Sequence, residues 1–98
     1  MKNIISDLNK AFENRVRLGI MSILMVNDDV DFNSIKETLN LTDGNLASHL
    51  KALESSKYII MHKEFVGRKP RTSYSASEAG KMAFKSHLDA LEKLIRGG

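Results

Sequence analysis

The segment 42–71 constrains the fold of this 98-residue chain more than any other. Its first half has leucines at helical spacing, which predicts an amphipathic helix whose buried stripe is Leu46, Leu50 and Leu53. Its second half is strand-like over residues 58–66 and is followed by a turn that is rich in cations. The segment therefore combines a largely polar helix with a cationic hairpin.

Basic charge is concentrated in this hairpin. From Lys57 to Arg71 the chain has five basic residues and one acid, a local charge of +4 against +3 for the whole chain. The predicted turn at residues 67–71 holds the only proline, Pro70, and three of these cations: Arg68, Lys69 and Arg71. We expect the three cations to bind phosphates or to enter a minor groove. The alternative is that they protect an exposed strand edge from aggregation.

The composition is that of an ordinary folded domain. Hydrophobic residues make up 42% of the chain and charged residues 28%, which excludes a disordered composition. The longest apolar run, from residue 18 to 26, is shorter than the roughly 20 residues of a transmembrane helix, and the N-terminus lacks the apolar region of a signal peptide. We therefore expect a single cytoplasmic domain over residues 1–98. The absence of cysteine excludes disulfides and thiolate metal sites.

Helical spacing and capping residues predict further elements on both sides of the segment. The predicted helices cover about residues 1–13, 14–26, 32–39, 42–56 and 77–96, with an acidic turn at 27–31 and strands at 58–66 and 72–76. Thr42 and Ser77 are the predicted N-caps of the last two helices. This order predicts a mainly α fold with a small β-hairpin. It is a winged helix-turn-helix with extra N- and C-terminal helices, whose second motif helix enters the major groove of DNA.

The predicted helix 42–56 has a small, polar outward face near its N-terminus, composed of Gly44, Asn45 and Ser48. This end of a recognition helix reaches base edges, and Asn and Ser side chains can bond to bases, so these are the predicted base-reading residues. Gly44 costs about 1 kcal/mol relative to alanine inside a helix. Close approach of the backbone to DNA would explain it, and a frayed first turn is the alternative. Asp43 is explained better by the helix dipole than by a base contact.

Four stretches of the chain carry a family resemblance: residues 15–20 (RVRLGI), 41–54 (LTDGNLASHLKALE), 58–59 (YI) and 71–80 (RTSYSASEAG). In this order they resemble the winged-helix transcriptional regulators of the MarR and ArsR type, most closely the small single-domain forms. The resemblance implies a prokaryotic homodimer that binds a pseudo-palindromic operator in double-stranded DNA and usually represses transcription. It also implies contacts to the DNA backbone from further residues, namely Thr42, His49, Lys51 and, less strongly, Arg15.

Alternatives stay open at some of these positions. His49 lies beside the leucine stripe, where it could contact phosphate or hydrogen-bond locally in a half-buried position. Arg17 is a further weak candidate, and a salt bridge within the chain explains it equally well. Many relatives have a basic residue where this chain has Ser48. We therefore expect affinity to depend more on the wing and on dimerisation than on the recognition helix.

The terminal helices are predicted to form a dimer interface. The final helix repeats apolar residues at +4, +3 and +4, the spacing of a coiled-coil seam, and the N-terminal helix has a second stripe. The predicted interface residues are Ile5, Leu8, Phe12, Phe84, Leu88, Leu91 and Ile95. A C₂ dimer formed by these helices would set the half-site spacing on DNA. The alternative is that the final helix packs only on its own core.

Other function classes lack their sequence signatures. The chain has no phosphate loop or nucleophile motif of an enzyme, and its three histidines lack ligand spacing, so we expect no cofactor and no metal. A winged-helix adaptor that binds protein instead of DNA is the main rival. An adaptor predicts an apolar outward face on helix 42–56 and no cationic wing. The sequence identifies no small-molecule effector, because Met21 and Met25, which could line such a site, are explained more simply as core.

Overall fold

The computed structural model describes residues 5–97. In this range a 3₁₀ helix at Lys10–Phe12 precedes α1 (Arg15–Met25), β1 (Val30–Asp31), α2 (Phe32–Leu39), α3 (Asp43–Ser55), β2 (Ile59–Val66), β3 (Lys69–Ala76) and α4 (Glu78–Ile95). The strands form an antiparallel sheet in the order β1-β3-β2. Helices α2 and α3 form the helix-turn-helix, and the hairpin of β2 and β3 is the wing. The predicted fold class is confirmed.

Polar residues determine where each α-helix begins. The side chains of Asn14, Asp31, Thr42 and Ser77 accept hydrogen bonds from backbone N–H groups in the first turns of α1, α2, α3 and α4. Each cap stabilises its helix by about 1 kcal/mol, because these N–H groups have no partner inside the helix. The predicted caps Thr42 and Ser77 are confirmed, and α3 and α4 begin one residue after them.

A hydrophobic core joins the helices to the sheet. Its buried residues are Phe12, Ile20, Met21, Leu24, Ile35, Leu46, Leu50, Leu53, Ile59, Tyr74 and Phe84. The three leucines of α3 are at most 1% exposed. Burying such a side chain contributes about 1.5–3 kcal/mol, so this stripe fixes which face of α3 turns outward. Met21 belongs to the core and Met25 packs against it.

The helix-turn-helix is held by close packing and by a short connection. A Cβ atom on Gly19 of α1 would lie 3.0 Å from Cδ2 of Leu39 in α2, so the two helices approach closely. Asn40 ends α2 in the left-handed conformation, with a φ of 53°. An ion pair of 2.7 Å then joins Lys36 of α2 to Asp43 of α3. The contact at Gly19 places α2 against α1, and the short connection and the ion pair link α2 to α3.

The sheet has a strand that the sequence did not indicate. Val30 and Asp31, which were expected in an acidic turn, form β1 and pair with Tyr74 and Ser73 of β3. Two residues are too few to show the alternation of a strand. Their strand conformation depends on β3, which lies far along the chain.

The turn of the wing is shorter than predicted. It consists of Gly67 and Arg68 instead of residues 67–71, because β3 begins directly after Arg68. Gly67 has a φ of 67°, a conformation that glycine adopts without steric cost. Pro70 lies in β3 opposite Phe65 of β2. Strand β1 does not extend this far along β3, so the missing N–H of proline falls at an open edge of the sheet.

The predicted N-terminal helix is wrong over the described part of its range. Residues 5–8 form turns, and the helical segment between them and α1 is the short 3₁₀ helix. Residues 1–4 of that prediction lie outside the described residues. Asn9 caps the 3₁₀ helix and Asn14 caps α1. Each capping residue has an extended backbone, which prevents one continuous helix.

The N-terminal segment completes the core beside α4. Phe12 is 2% exposed, and its ring centroid lies 5.2 Å from that of Phe84 and 5.3 Å from that of Tyr58. The N–H of Asn9 donates to Nδ1 of His87 at 3.0 Å, and its side-chain amide donates to the hydroxyl of Tyr58 at 3.0 Å. This segment therefore joins α4 to the residue that precedes β2.

The first turn of helix α4 packs closely against the backbone of Tyr58. A Cβ atom on Gly80 would lie 2.0 Å from the carbonyl oxygen of Tyr58, a distance that no side chain tolerates. The same carbonyl accepts a hydrogen bond from the N–H of Ser77 at 3.0 Å. The hydroxyl of Ser77 donates to the carbonyl oxygen of Lys57 at 2.7 Å. Glycine at position 80 is therefore required by packing.

Candidate nucleic-acid interface

The outward face of α3 presents the residues that were predicted to read bases. Gly44, Asn45 and Ser48 are exposed at its N-terminal end, and Lys51 is exposed one turn further along. Within residues 5–97 the side chains of Asn45 and Ser48 make no hydrogen bond to another residue. Their donors and acceptors are therefore free for a partner that approaches this face.

Gly44 is not required by packing inside the chain. A Cβ atom at this position would have nothing within 4 Å, in contrast to the close contact at Gly80. Gly44 lies in the first turn of α3, which is capped by Thr42. The open space is consistent with close approach of an external backbone or groove, which was the functional explanation for a glycine here.

The N-terminus of α3 is held by two side chains. Oγ1 of Thr42 accepts a hydrogen bond of 3.2 Å from the N–H of Asn45. The carboxylate of Asp43 pairs with Lys36, which agrees with the structural interpretation of this acid. The pair is largely exposed, so it contributes at most about 1 kcal/mol. Thr42, a predicted contact to the DNA backbone, has its hydroxyl at the exposed end of the helix.

His49 is bonded locally. Its Nδ1 lies 3.1 Å from Nη1 of Arg17, and Nε of Arg17 donates to the carbonyl oxygen of Ala11 at 2.6 Å. A guanidinium can only donate, so Nδ1 is the acceptor and the imidazole is neutral. Partial burial, and secondly the charge of Arg17, lower the pKa of His49. The structure thus favours the local hydrogen bond over a phosphate contact for His49, and Arg17 links α3 to the N-terminal segment.

The wing presents cations without acidic partners. Lys63 of β2, Arg68 in the turn and Lys69 of β3 are exposed, and none of them forms an ion pair within residues 5–97. The wing also exposes apolar surface next to these cations, since Phe65 is 75% exposed and Val66 is 61% exposed. Free cations at a projecting hairpin tip are suited to bind phosphates.

Arg71 differs from these cations. Its Nη1 donates to Oε1 of Glu64 at 2.9 Å and to Oδ2 of Asp29 at 3.3 Å. The hydrogen bond to Glu64, followed by that to Asp29, raises the pKa of Arg71. The prediction grouped Arg71 with Arg68 and Lys69 as equivalent wing cations, but the structure shows that its charge is compensated within the chain.

Two residues of this site were not recognised in the sequence. Glu64 and Asp29 carry the charges that compensate Arg71. Asp29 was expected in an acidic turn, and Glu64 was counted only as the one acid of the hairpin. A signal for Glu64 existed, because a two-residue turn at Gly67 places residue 64 opposite residue 71. No local signal existed for Asp29. Arg15, the weak candidate for a backbone contact, is exposed at the first position of α1.

The residues predicted for the dimer interface fall into two groups. Phe12 and Phe84 are buried in the core of the single chain, so their assignment to an intermolecular surface is corrected. Their rings contact each other, and Phe12 also contacts Tyr58 and His87. The remaining ones are exposed or half-buried: Ile5, Leu8, Leu88, Leu91 and Ile95. Ile95 is 86% exposed, and Met82, which was not predicted for the interface, is 70% exposed.

Neither a metal-binding cluster nor a membrane-spanning helix occurs within residues 5–97. No group of three or more His, Cys, Asp or Glu side chains within residues 5–97 could hold a metal ion. In the same part of the chain no helix combines the length and the apolar character needed to cross a membrane.

Known proteins are similar to this chain in sequence and in fold. An uncharacterized protein of Methanocaldococcus jannaschii (MJ0432) is 37% identical over 87 residues, which cover 89% of this chain and 95% of that protein. The structure of a transcriptional regulator homologue from Pyrococcus horikoshii OT3 superposes with a TM-score of 0.85 and 33% identity over 96% of this chain and 91% of that one. The fold is also that of MepR of S. aureus in its complex with DNA, with a TM-score of 0.69, 15% identity and coverage of 93% and 70%.

The family assignment rests on most of the chain. Residues 16–95 match the winged helix DNA-binding domain family, a range that extends from α1 to the end of α4. The structural neighbours are transcriptional regulators of the MarR-like winged-helix type, as the sequence resemblance indicated. The chain therefore belongs to the winged helix DNA-binding domain family.

Proposed function

We propose that the chain is a homodimeric repressor that binds a pseudo-palindromic operator in double-stranded DNA. One observation carries the proposal: the free polar face at the N-terminus of α3 lies on the same domain as a wing with unpaired cations. The first feature suits base edges in a major groove, and the second suits phosphates or an adjacent minor groove. We place this activity in the cytoplasm, where such a regulator meets its operator.

Base reading is assigned to the exposed end of α3. Asn45 can bond bidentately to adenine, and Ser48 can bond to more than one base. Gly44 allows the helix backbone to come close to the groove, because no side chain intervenes. Thr42 and Lys51 lie at the two ends of this face, where they would contact the backbone on either side of the groove.

Affinity is assigned mainly to the wing. Arg68 and Lys69 are free to neutralise phosphates, and each neutralised phosphate contributes about 0.9 to the slope of log K against log salt concentration. Helix α3 contributes one Lys or Arg, Lys51, which lies in its third turn. Sequence preference and salt dependence should therefore be separable by mutation.

Dimerisation is assigned to the exposed apolar residues of α4. Leu88 and Ile95 are 44% and 86% exposed in one chain, and a second copy of α4 would cover them. Two recognition helices related by a C₂ axis would then meet two half-sites of an operator. Substituting Leu88 and Leu91 with Glu is expected to give a monomer by light scattering. An unchanged dimer mass would exclude this interface.

The adaptor alternative is not favoured by the surface of α3. Its outward residues are small or polar, whereas an adaptor requires an apolar face there. Double-stranded RNA is disfavoured because its narrow major groove does not admit a helix.

The proposal is tested by selecting duplexes from a random genomic library at several salt concentrations. The change of Asn45 and Ser48 to Ala should relax sequence preference and leave the salt slope unchanged. The change of Arg68 and Lys69 to Ala should weaken binding to every duplex and lower the slope by about 0.9 for each lost contact. Lys85→Ala, which removes one cation from α4, is the control for loss of charge outside the site. If the wild-type chain selects no duplex, the proposed function is wrong.

A further inference from the structure

The wing is attached to the rest of the domain by few contacts near its tip. Strand β1 pairs with β3 only at Tyr74 and Ser73, so β3 has no partner strand on that side from residue 72 to the turn. Every residue from 60 to 70 is exposed. A hairpin held only at its base can change its angle to the helices, and a second attachment nearer the tip would restrict this motion.

Arg71 provides such an attachment. It lies two residues closer to the tip than the last residue of β3 that pairs with β1. A single nitrogen, Nη1, bridges Glu64 on the neighbouring strand and Asp29 in the connection between α1 and β1. Glu64 lies directly opposite Arg71 in the register of the hairpin. The ion pair to Asp29 therefore ties the wing to the helical body at a point that the sheet does not reach.

The same geometry makes Arg71 a poor phosphate ligand. The two carboxylates occupy Nη1, so a phosphate would have to displace them or bind Nε or Nη2 beside their negative charges, which repel it. Its side chain is 35% exposed, against 41% for Asp29 and 56% for Glu64. Arg68 and Lys69, in contrast, have no carboxylate partner within residues 5–97.

We propose that Arg71 is a positioning residue, which sets the angle of the wing by binding Asp29 and Glu64, while Arg68 and Lys69 contact phosphate. The inference rests on the proposed DNA-binding function and adds a role for two acids within a basic site. It predicts an effect on DNA affinity that is opposite to the effect expected from net charge alone. Removing either acid makes the protein more positive, yet it should weaken DNA binding.

The decisive variants are Asp29→Asn and Glu64→Gln, measured for affinity to one selected duplex at several salt concentrations. We expect each to weaken binding two- to fivefold, the range of a partly exposed ion pair, without change in the salt slope. Asp28→Asn is the matched control. It removes the same charge from the same connection, and Asp28 makes no ion pair within residues 5–97, so binding should be equal to or tighter than that of the wild type.

A double-mutant cycle adds a second test. Arg71→Gln should weaken binding as much as Asp29→Asn, and the double variant should be no weaker than either one. Arg71→Gln should leave the salt slope unchanged, whereas Arg68→Gln should lower it by about 0.9. If Asp29→Asn and Glu64→Gln bind more tightly than wild type, or if Arg71→Gln lowers the slope like Arg68→Gln, Arg71 is a phosphate contact and the inference fails.

A readout without DNA separates this inference from the proposed function. Amide hydrogen exchange of the free protein should become faster at Lys69 and Arg71, the amides of β3 nearest the turn, for Arg71→Gln and Asp29→Asn, and stay unchanged for Arg68→Gln. Unfolding temperatures identify any variant that is globally destabilised. If no duplex binds but exchange changes in this pattern, the positioning role of Arg71 is supported and the DNA-binding proposal is wrong. If exchange is unchanged, the positioning role of Arg71 is excluded.

Discussion

The recognition helix α3 and the wing both expose polar or charged side chains, but the two elements are held in place in different ways. Helix α3 buries three leucines in the core, is capped by Thr42 and is joined to α2 by an ion pair, so its outward face is fixed by packing. The wing is exposed along its length from residue 60 to 70. Its position depends on the sheet at its base and on the ion pairs of Arg71.

This contrast suggests that α3 and the wing have different roles in DNA binding. Base reading needs side chains held in one geometry, and a helix that is part of the core provides that. Phosphate contacts tolerate more variation, because long basic side chains on a hairpin can adjust to the backbone. Mutations in the two regions should therefore differ in kind, those in α3 affecting stability and sequence preference and those in the wing affecting salt-dependent affinity.

The largest expected effect is a loss of stability from the buried side of α3. Leu50→Ala should lower the free energy of unfolding by about 2–5 kcal/mol, because it removes buried methyl groups and leaves a cavity. Denaturant unfolding measures this. The matched change on the wing, Phe65→Ala, should cost less than about 0.5 kcal/mol, since that ring is 75% exposed. A comparable loss for both variants would mean that the wing is packed, and the contrast would be lost.

Two glycines give the next effect. Gly80→Ala should destabilise the protein by at least about 1–3 kcal/mol, because its Cβ would collide with the backbone at Tyr58. Gly44→Ala should stabilise the protein by up to about 1 kcal/mol, since alanine is the better helix former and its Cβ meets open space. Thermal unfolding compares the two.

The Gly44→Ala variant also probes the outward face of α3. If the helix backbone comes close to DNA at Gly44, the stabilised Gly44→Ala protein should bind its operator more weakly. Equal or tighter binding would indicate that the glycine has no role at the groove.

The capping residue of α3 should have a smaller effect. Thr42→Ala removes the acceptor for the N–H of Asn45 and should cost about 1 kcal/mol in chemical unfolding. Thr42→Ser retains that acceptor and is the control. If both variants lose the same stability, the cap does not set the start of α3.

The smallest effect concerns pH. The pKa of His49 is lowered in the folded state, so the unfolded state takes up the proton first as the pH falls below the usual value of about 6.5. Stability attributable to His49 is therefore complete above that value and is lost as the pH falls towards the folded-state pKa. His49→Gln can still accept from Arg17, and its unfolding free energy should fall less between about pH 7 and pH 5. An unchanged pH profile would contradict the lowered pKa.

Local patterns predicted most of α3 and α4, whereas contacts between distant residues were missed. The leucine spacing and the caps Thr42 and Ser77 depend on neighbours within a few residues, so periodicity and capping residues together located these helices. Strand β1 depends on a partner more than 40 positions later in sequence, at Tyr74, and two residues carry no period. The burial of Phe12 against Phe84 is also a long-range contact, which is why a core pair was assigned to the dimer interface.

The candidate site shows the same limit. The exposed face with Asn45 and Ser48 followed directly from the helical period. The special position of Arg71 could not follow from charge counting, because its neutralisation requires a carboxylate from the connection after α1. Sequence therefore located the basic hairpin but not the division of its cations into free and compensated ones.

The hydrogen bonds of Asn9 have a consequence for the evolution of this family. The backbone N–H of Asn9 donates to Nδ1 of His87, and its side-chain amide donates to the hydroxyl of Tyr58, so three positions on separate parts of the chain share one polar cluster beside the core. Replacing Tyr58 by phenylalanine would remove the acceptor for its amide. Among relatives, residues 9 and 58 are therefore expected to change together, whereas the bond to His87 persists for any residue at position 9 except proline.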